Sequence, residues 1–256
     1  MLAVVAVLLA SCSSDYVNVI PSGSTALMSF DFSKIAEQSG RADADKAEAL
    51  KSILHVEDVS DCGINFSDKA YAFETADGSL GFVLSVDDAS DMEDWLMAMA
   101  KTGVCTKITE RKGYKFTVLH DNFLAGFSKN ALLVMGPSVG AAQAELQRKM
   151  VKYLNADEDN GISGSRLFER LESISAPIGL VAQAQALPDK FVAPFTLGAP
   201  KGTPATDIYI AAQMTVGKNG CLDITGENFS FNNQVDKALK DAVAAYRPIT
   251  EKYLDA

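Results

Sequence analysis

The sequence predicts an α+β protein: a mostly antiparallel sheet with helices packed on one of its faces. Three observations predict it. Thr25 to Phe32 alternates, with Met28, Phe30 and Phe32 on one side and Ser29 and Asp31 on the other, as in a strand with one buried face. The turn dipeptides Asp77-Gly78 and Asn219-Gly220 separate strand-like runs. They force antiparallel neighbours, because a tight turn cannot make the crossover that parallel pairing needs. Between the strands lie segments whose apolar residues recur at helical spacing.

The elements follow in order. Pro21-Ser22-Gly23-Ser24 is a turn before the first strand, and Ser33 caps a short helical turn. Arg41 to Leu54 is helical, with Ala47, Leu50, Ile53 and Leu54 on one stripe. Lys69 to Glu74 and Leu80 to Val86 are strands joined at Ala76-Asp77-Gly78. Asp88 to Lys101 is a helix with Asp88, Ser90, Asp91 and Glu93 at its positive end, and Gly103 ends it. Val104 to Glu110 is a strand. The order to this point is βαββαβ, the order of ferredoxin-like folds, and it carries no function by itself.

Tyr114 to Leu119, Phe123 to Phe127 and Ala131 to Met135 extend that unit as an antiparallel meander. A helix capped by Ser138 runs to about Leu154 with Leu146, Met150 and Val151 inward. Asn155 to Gly164 is a polar linker and the expected boundary between a subdomain over 25–154 and a second α+β subdomain over 165–256, packed on the first. The second holds a helix at Arg166 to Ile174, a strand at Ile178 to Ala186 and a mostly looped Pro188 to Pro204. A hairpin of Asp207 to Val216 with Cys221 to Phe231 and a closing helix from Asn232 to Tyr246 complete it.

Composition sets limits on partners. The 256 residues include 33 acidic and 23 basic side chains, a formal net charge of −10. A nucleic-acid footprint needs clustered Lys and Arg, so nucleic acid and anionic head groups are poor partners.

Catalytic motifs are absent: no G-x-G-x-x-G, P-loop, G-x-S-x-G or H-E-x-x-H occurs. No cofactor or metal is therefore expected. Cys62, Cys105 and Cys221 form no C-x-x-C, which leaves a disulfide between any two of them open. Cys105 and Cys221, in strand-like runs, read as small buried hydrophobes. His55 and His120 read as surface or turn residues. Asn155 to Gly161 superficially resembles a calcium loop, but the sixth and twelfth positions hold Asn160 and Arg166 instead of Gly and Glu. Trp95 belongs to an apolar helical stretch and reads as core.

The N-terminus is the most specific segment. Leu2 to Ala10 is apolar and far too short to span a bilayer, and it has the length of a signal-peptide core. Leu9-Ala10-Ser11-Cys12 resembles the lipobox of bacterial lipoproteins, in which the chain is cut before the Cys and acyl chains are added to its thiol and new amino group. The resemblance implies a signal peptide over 1–11, lipid attachment at Cys12 and a tether over 12–24. The n-region lacks Lys and Arg, which departs from the pattern. Ser13, where an acid favours inner-membrane retention, points to the outer membrane, with the protein on its periplasmic or cell-surface side.

Three segments carry a wider resemblance: Tyr16-Val17-Asn18-Val19-Ile20-Pro21, Gly63-Ile64-Asn65-Phe66-Ser67-Asp68-Lys69-Ala70-Tyr71 and Tyr246-Arg247-Pro248-Ile249-Thr250. Together they resemble a family of Bacteroidetes-type lipoproteins, the domain of unknown function 4836. That family implies an envelope location and an α+β fold, and it supplies no catalytic residues.

The expected function is a non-enzymatic binding or interaction module of the cell envelope, with the membrane as partner through the anchor and an envelope protein or glycan as its ligand. The alternative is a lipid-tethered hydrolase of glycans or peptides, which would need two carboxylates about 5–10 Å apart in one pocket.

Overall fold

The computed structural model describes residues 15–38, 48, 51–52, 54, 56–217 and 221–254. Cys12, His55, most of the expected 41–54 helix and the Lys218-Asn219-Gly220 turn lie outside the described residues.

The strands are β1 (Ser24–Phe30), β2 (Ala70–Thr75), β3 (Leu80–Ser85), β4 (Thr109–Arg111), β5 (Tyr114–Leu119), β6 (Phe123–Phe127), β7 (Ala131–Gly136), β8 (Ile178–Gln183), β9 (Tyr209–Val216) and β10 (Leu222–Phe229). The helices are α1 (Phe32–Gln38), α2 (Ala89–Lys101), α3 (Gly140–Leu154), α4 (Arg166–Glu172), α5 (Asp189–Thr196) and α6 (Asn233–Leu254). The strands form one sheet in the order β10-β9-β8-β1-β2-β3-β7-β6-β5-β4, and every neighbouring pair is antiparallel.

The antiparallel α+β architecture is as expected, but the ferredoxin-like order is not found. That order would place the third strand between the first and the second; here β2 lies between β1 and β3, and β4 is the far edge. Alternation and turn residues set element type and hairpins, whereas the partner of a strand not joined by a hairpin is a long-range choice with no local signal.

Helices lie on both faces, which corrects the one-face expectation. Leu124 and Leu133 pack in a cluster with Leu146, Met150 and Leu154 of α3 and Leu167 and Leu171 of α4. Ala125 and Leu132, their neighbours in sequence, pack with Met92 and Leu96 of α2. Successive residues of a strand point to opposite faces, so the two clusters are on opposite sides of the sheet. A sheet apolar on both faces has to be covered on both.

Within the segment expected as a tether, Tyr16 to Ile20 are part of the core. Asp15–Val19 forms a 3-10 turn with Tyr16, Val17, Asn18 and Val19 buried, and Ile20 is fully buried. Removing a side chain such as Ile20 from water contributes about 1.5–3 kcal/mol, enough to hold this segment against the sheet. The polar 155–164 segment also turns inward: Gly161 bridges to Pro21 and Ile162 is fully buried beside it. The strands on either side of that segment share the one sheet through the β1–β8 pairing.

Smaller differences have local reasons. α3 starts at Gly140 after Val139, with no side-chain cap from Ser138. The Pro-rich stretch contains α5, because Pro188 precedes the helix, where a missing N–H costs little. α6 continues through Pro248 to Leu254. The 104–110 strand is reduced to Thr109–Arg111 and a Cys105–Leu119 bridge.

Candidate functional site

The sheet's two faces differ sharply across the central strands. On the first, Leu27, Ser29, Tyr71, Phe73, Val83, Val181 and Ala211 are all buried, sealed by α3, α4 and the N-terminal turn. The register aligns the opposite face into apolar rows. One row runs Ala212, Leu180, Met28, Ala72, Phe82, Val134 from β9 to β7. A second runs Ile224, Met214, Ile178, Phe30. All of these except Ile224 are half-buried, and Ile224 is 58% exposed. Glu74 interrupts the third row, between Ala26 and Leu80. Among the described residues, the cluster built on α2 covers this face at one side, over β3, β6 and β7.

The alternation of β1 was read correctly and its faces were assigned in reverse. Met28 and Phe30 look like the buried side, yet they lie on the open face, while Ser29 is 3% exposed under α4. The reason is Gly179 on β8, the register partner of Ser29. A Cβ there would stand 2.9 Å from Ser29 Oγ and 3.2 Å from Leu171 Cδ1, so only glycine lets α4 settle over that position. The open face is held together by ring contacts, Phe30 with Phe82 at 6.0 Å and Phe32 with Phe66 at 5.7 Å between centroids.

Other features fall outside this surface. A groove of about 490 Å³ lies between α2 and the β4–β5 edge, lined by Met97 and Ile108 and containing both Glu93 and Glu110. Glu93 is ion-paired with Lys115, which is the register partner of Glu110. Asp88 caps α2, accepting from Ser90 N at 2.7 Å and Asp91 N at 3.2 Å. In the calcium-like stretch, Asp157 accepts from Asn160 Nδ2 at 2.7 Å, which holds its carboxyl below the usual range. Among the described residues no group of three or more His, Cys, Asp or Glu side chains is close enough to hold a metal ion.

Cys62 and Cys105 are buried free thiols, and burial pushes the Cys62 thiol up. Cys221 is exposed, contrary to its reading as a buried hydrophobe, because it immediately precedes the outermost strand of the sheet. Trp95 is half-buried, and its indole N–H donates to Leu54 O at 2.8 Å. His120 lies exposed in a turn at φ 45°. No described helix is long and apolar enough to cross a membrane.

The chain is similar to solved structures of TP0453. Crystal form I of TP0453 aligns over 91% of this chain and 85% of that one, with 13% identity and a TM-score of 0.48. Crystal form III aligns over 81% and 76%, with 13% identity and a TM-score of 0.44. A search of curated proteins finds no match. The sequence profile of DUF4836, a domain of unknown function, matches residues 16–253, nearly all of the described chain. The chain belongs to the DUF4836 family.

Proposed function

We propose that this protein is an envelope lipoprotein, attached to the outer membrane through Cys12, that acts as a non-enzymatic binding module. Its ligand is an envelope protein that presents an apolar surface to the open face of the sheet. One observation carries the reading: six strands align Met, Phe, Leu, Ile and Ala side chains on a face that, among the described residues, helices leave half open, while the opposite face of the central strands is sealed. A surface of this composition binds by excluding water from both partners. It offers few donors or acceptors to a glycan, and its one central carboxylate, Glu74, has no second carboxylate in its rows.

The test is capture from detergent-solubilised envelopes by the tagged full-length chain, compared with two variants. Leu180→Asp puts a charge in the middle of the longest apolar row. Val243→Asp puts the same charge on α6, at a side chain that is 53% exposed. The reading requires a partner retained by wild type and Val243→Asp and lost by a folded Leu180→Asp. Equal capture by all three overturns it.

A further inference from the structure

The two edges of the sheet are built differently. β4 is three residues long, ends in Arg111 and is flanked by Lys107 and Lys112, a short charged edge of the kind that resists pairing. β10 is eight residues long and contains no Pro, Lys or Arg. Its first six residues, Leu222 to Glu227, are exposed on both faces. Leu222 and Ile224 are 51% and 58% exposed, large apolar side chains on a strand at the rim.

The hairpin fixes which backbone groups point outward. Gly217 N donates to Cys221 O at 2.8 Å, and Val216 N turns the other way, to Gln38 Oε1. In an antiparallel ladder hydrogen-bonded and non-hydrogen-bonded pairs alternate. Odd residues of β10 therefore face β9, and Leu222, Ile224 and Gly226 direct their N–H and C=O groups away from the sheet. Farther along, Asn228 Nδ2 donates to Phe195 O of α5, so the open stretch ends there.

We infer that β10 is a pairing edge for β10 of a second copy of this chain, joined antiparallel about a two-fold axis at Ile224. Directly opposite residues of an antiparallel pair share a face, so each candidate register can be checked for charge. An axis at Thr225 sets Asp223 against Glu227 of the other copy, and an axis at Asp223 sets that carboxylate against itself. An axis at Gly226 extends the ladder into the stretch that Asn228 and α5 occupy. The axis at Ile224 places Ile224 against Ile224, Leu222 against Gly226 and Asp223 against Thr225, with no like charges opposed. Glu227 is already held by Arg170 of its own chain at 2.7 Å. The paired edges would also join the apolar rows of the two open faces into one surface. The inference is independent of the lipid anchor and of the proposed ligand.

The test is cross-linking in intact producing cells with a short, membrane-permeant bis-maleimide, using the full chain with Cys221→Ser as background. Cys62 and Cys105 are buried. Ile224→Cys is expected to give a covalent dimer, because opposed residues of a hydrogen-bonded pair lie about 5.5 Å apart at Cα. Leu222→Cys is expected to give roughly tenfold less, since the two thiols are then offset by four residues, about 13 Å along the strands. The background alone, which keeps Cys12, is the control for any cross-link through that residue, and the Ile224→Cys dimer is read as the excess over it. An Ile224→Cys chain that stays monomeric overturns the inference, as does a dimer formed equally well from both positions. Unchanged cross-linking of the Ile224→Cys chain on adding Leu222→Pro, which removes an outward N–H, would overturn strand pairing.

Discussion

The hydroxyl of Tyr71, on β2, donates to Oε1 of Glu172, at the end of α4, at 3.0 Å. Lys69 holds the other carboxylate oxygen at 2.8 Å, and the Tyr16 hydroxyl donates to Lys69 O at 2.7 Å. The ring of Tyr71 packs on Phe168 of α4 and on Tyr16. One tyrosine thus ties the N-terminal turn, the middle of the sheet and α4 together. Tyr71→Phe keeps the packing and removes the hydrogen bond to a charged acceptor. It is expected to cost about 1–2 kcal/mol, because Lys69 still neutralises Glu172. Urea unfolding measures it, and a loss indistinguishable from zero would mean the bond contributes nothing net.

The same cluster sets an alkaline limit. Burial is the largest cause pushing the phenols of Tyr16 and Tyr71 upward; the Asp68 charge adds to it at Tyr16, and Tyr16 and Glu172 add to it at Tyr71. A folded-state pKa raised above the ordinary value of 10.0 favours the protonated form in the folded chain. This stability is fully present below about pH 10 and is lost as the pH rises above it, when the unfolded phenols ionise first. Ultraviolet phenolate absorbance should show two of the seven tyrosines titrating only with unfolding. All seven titrating together in the folded protein would contradict this.

Ile162 lies in the acidic, turn-rich stretch that reads as a linker, yet it is fully buried against the N-terminal turn and α3. Ile162→Ala is expected to destabilise the protein by about 2–5 kcal/mol, as for other fully buried aliphatics. Because one sheet spans both sides of this stretch, denaturation should remain a single transition by fluorescence and by circular dichroism. Two separated transitions would show that the halves unfold independently.

Gly63 has φ +65°, and an added Cβ would stand 2.1 Å from the backbone oxygen of Asp88. Gly63 O in turn accepts from Asp87 N at 2.9 Å, fixing the approach to α2. Gly63→Ala combines left-handed strain with a backbone clash, and should cost at least about 2 kcal/mol. A thermal melt unchanged within a degree or two would refute that close approach.

The anchor reading has a direct measurement. Metabolic labelling with a fatty-acid analogue should mark the wild-type chain and leave Cys12→Ala unlabelled. Equal label in both removes Cys12 as the attachment point.

Much of the fold was legible where local chemistry decides it. Asp77-Gly78 made a hairpin, and Asp88 capped a helix, because a turn and a cap each need a few adjacent residues. What was not legible depended on residues far away. Whether Ser29 or Met28 faces a helix is settled by Gly179, a hundred and fifty positions later. Tyr16 to Ile20 reads as an extended lead until the sheet that buries it exists. The candidate surface was missed for the same reason: its composition looks like core on every strand, and only the placement of α3 and α4 shows which apolar face is left half open.

The central position of β1 has a consequence for how the chain comes into being. β1 is the first of the described strands to be synthesised, and its neighbour β8 begins only at Ile178. Until that strand emerges, Ala26 to Phe30 has one free hydrogen-bonding edge, and the segment that becomes the centre of the molecule is a rim. Contacts of such long range make for slow, late closure and for intermediates prone to association. A chain wired in this way is held open until β8 has been made.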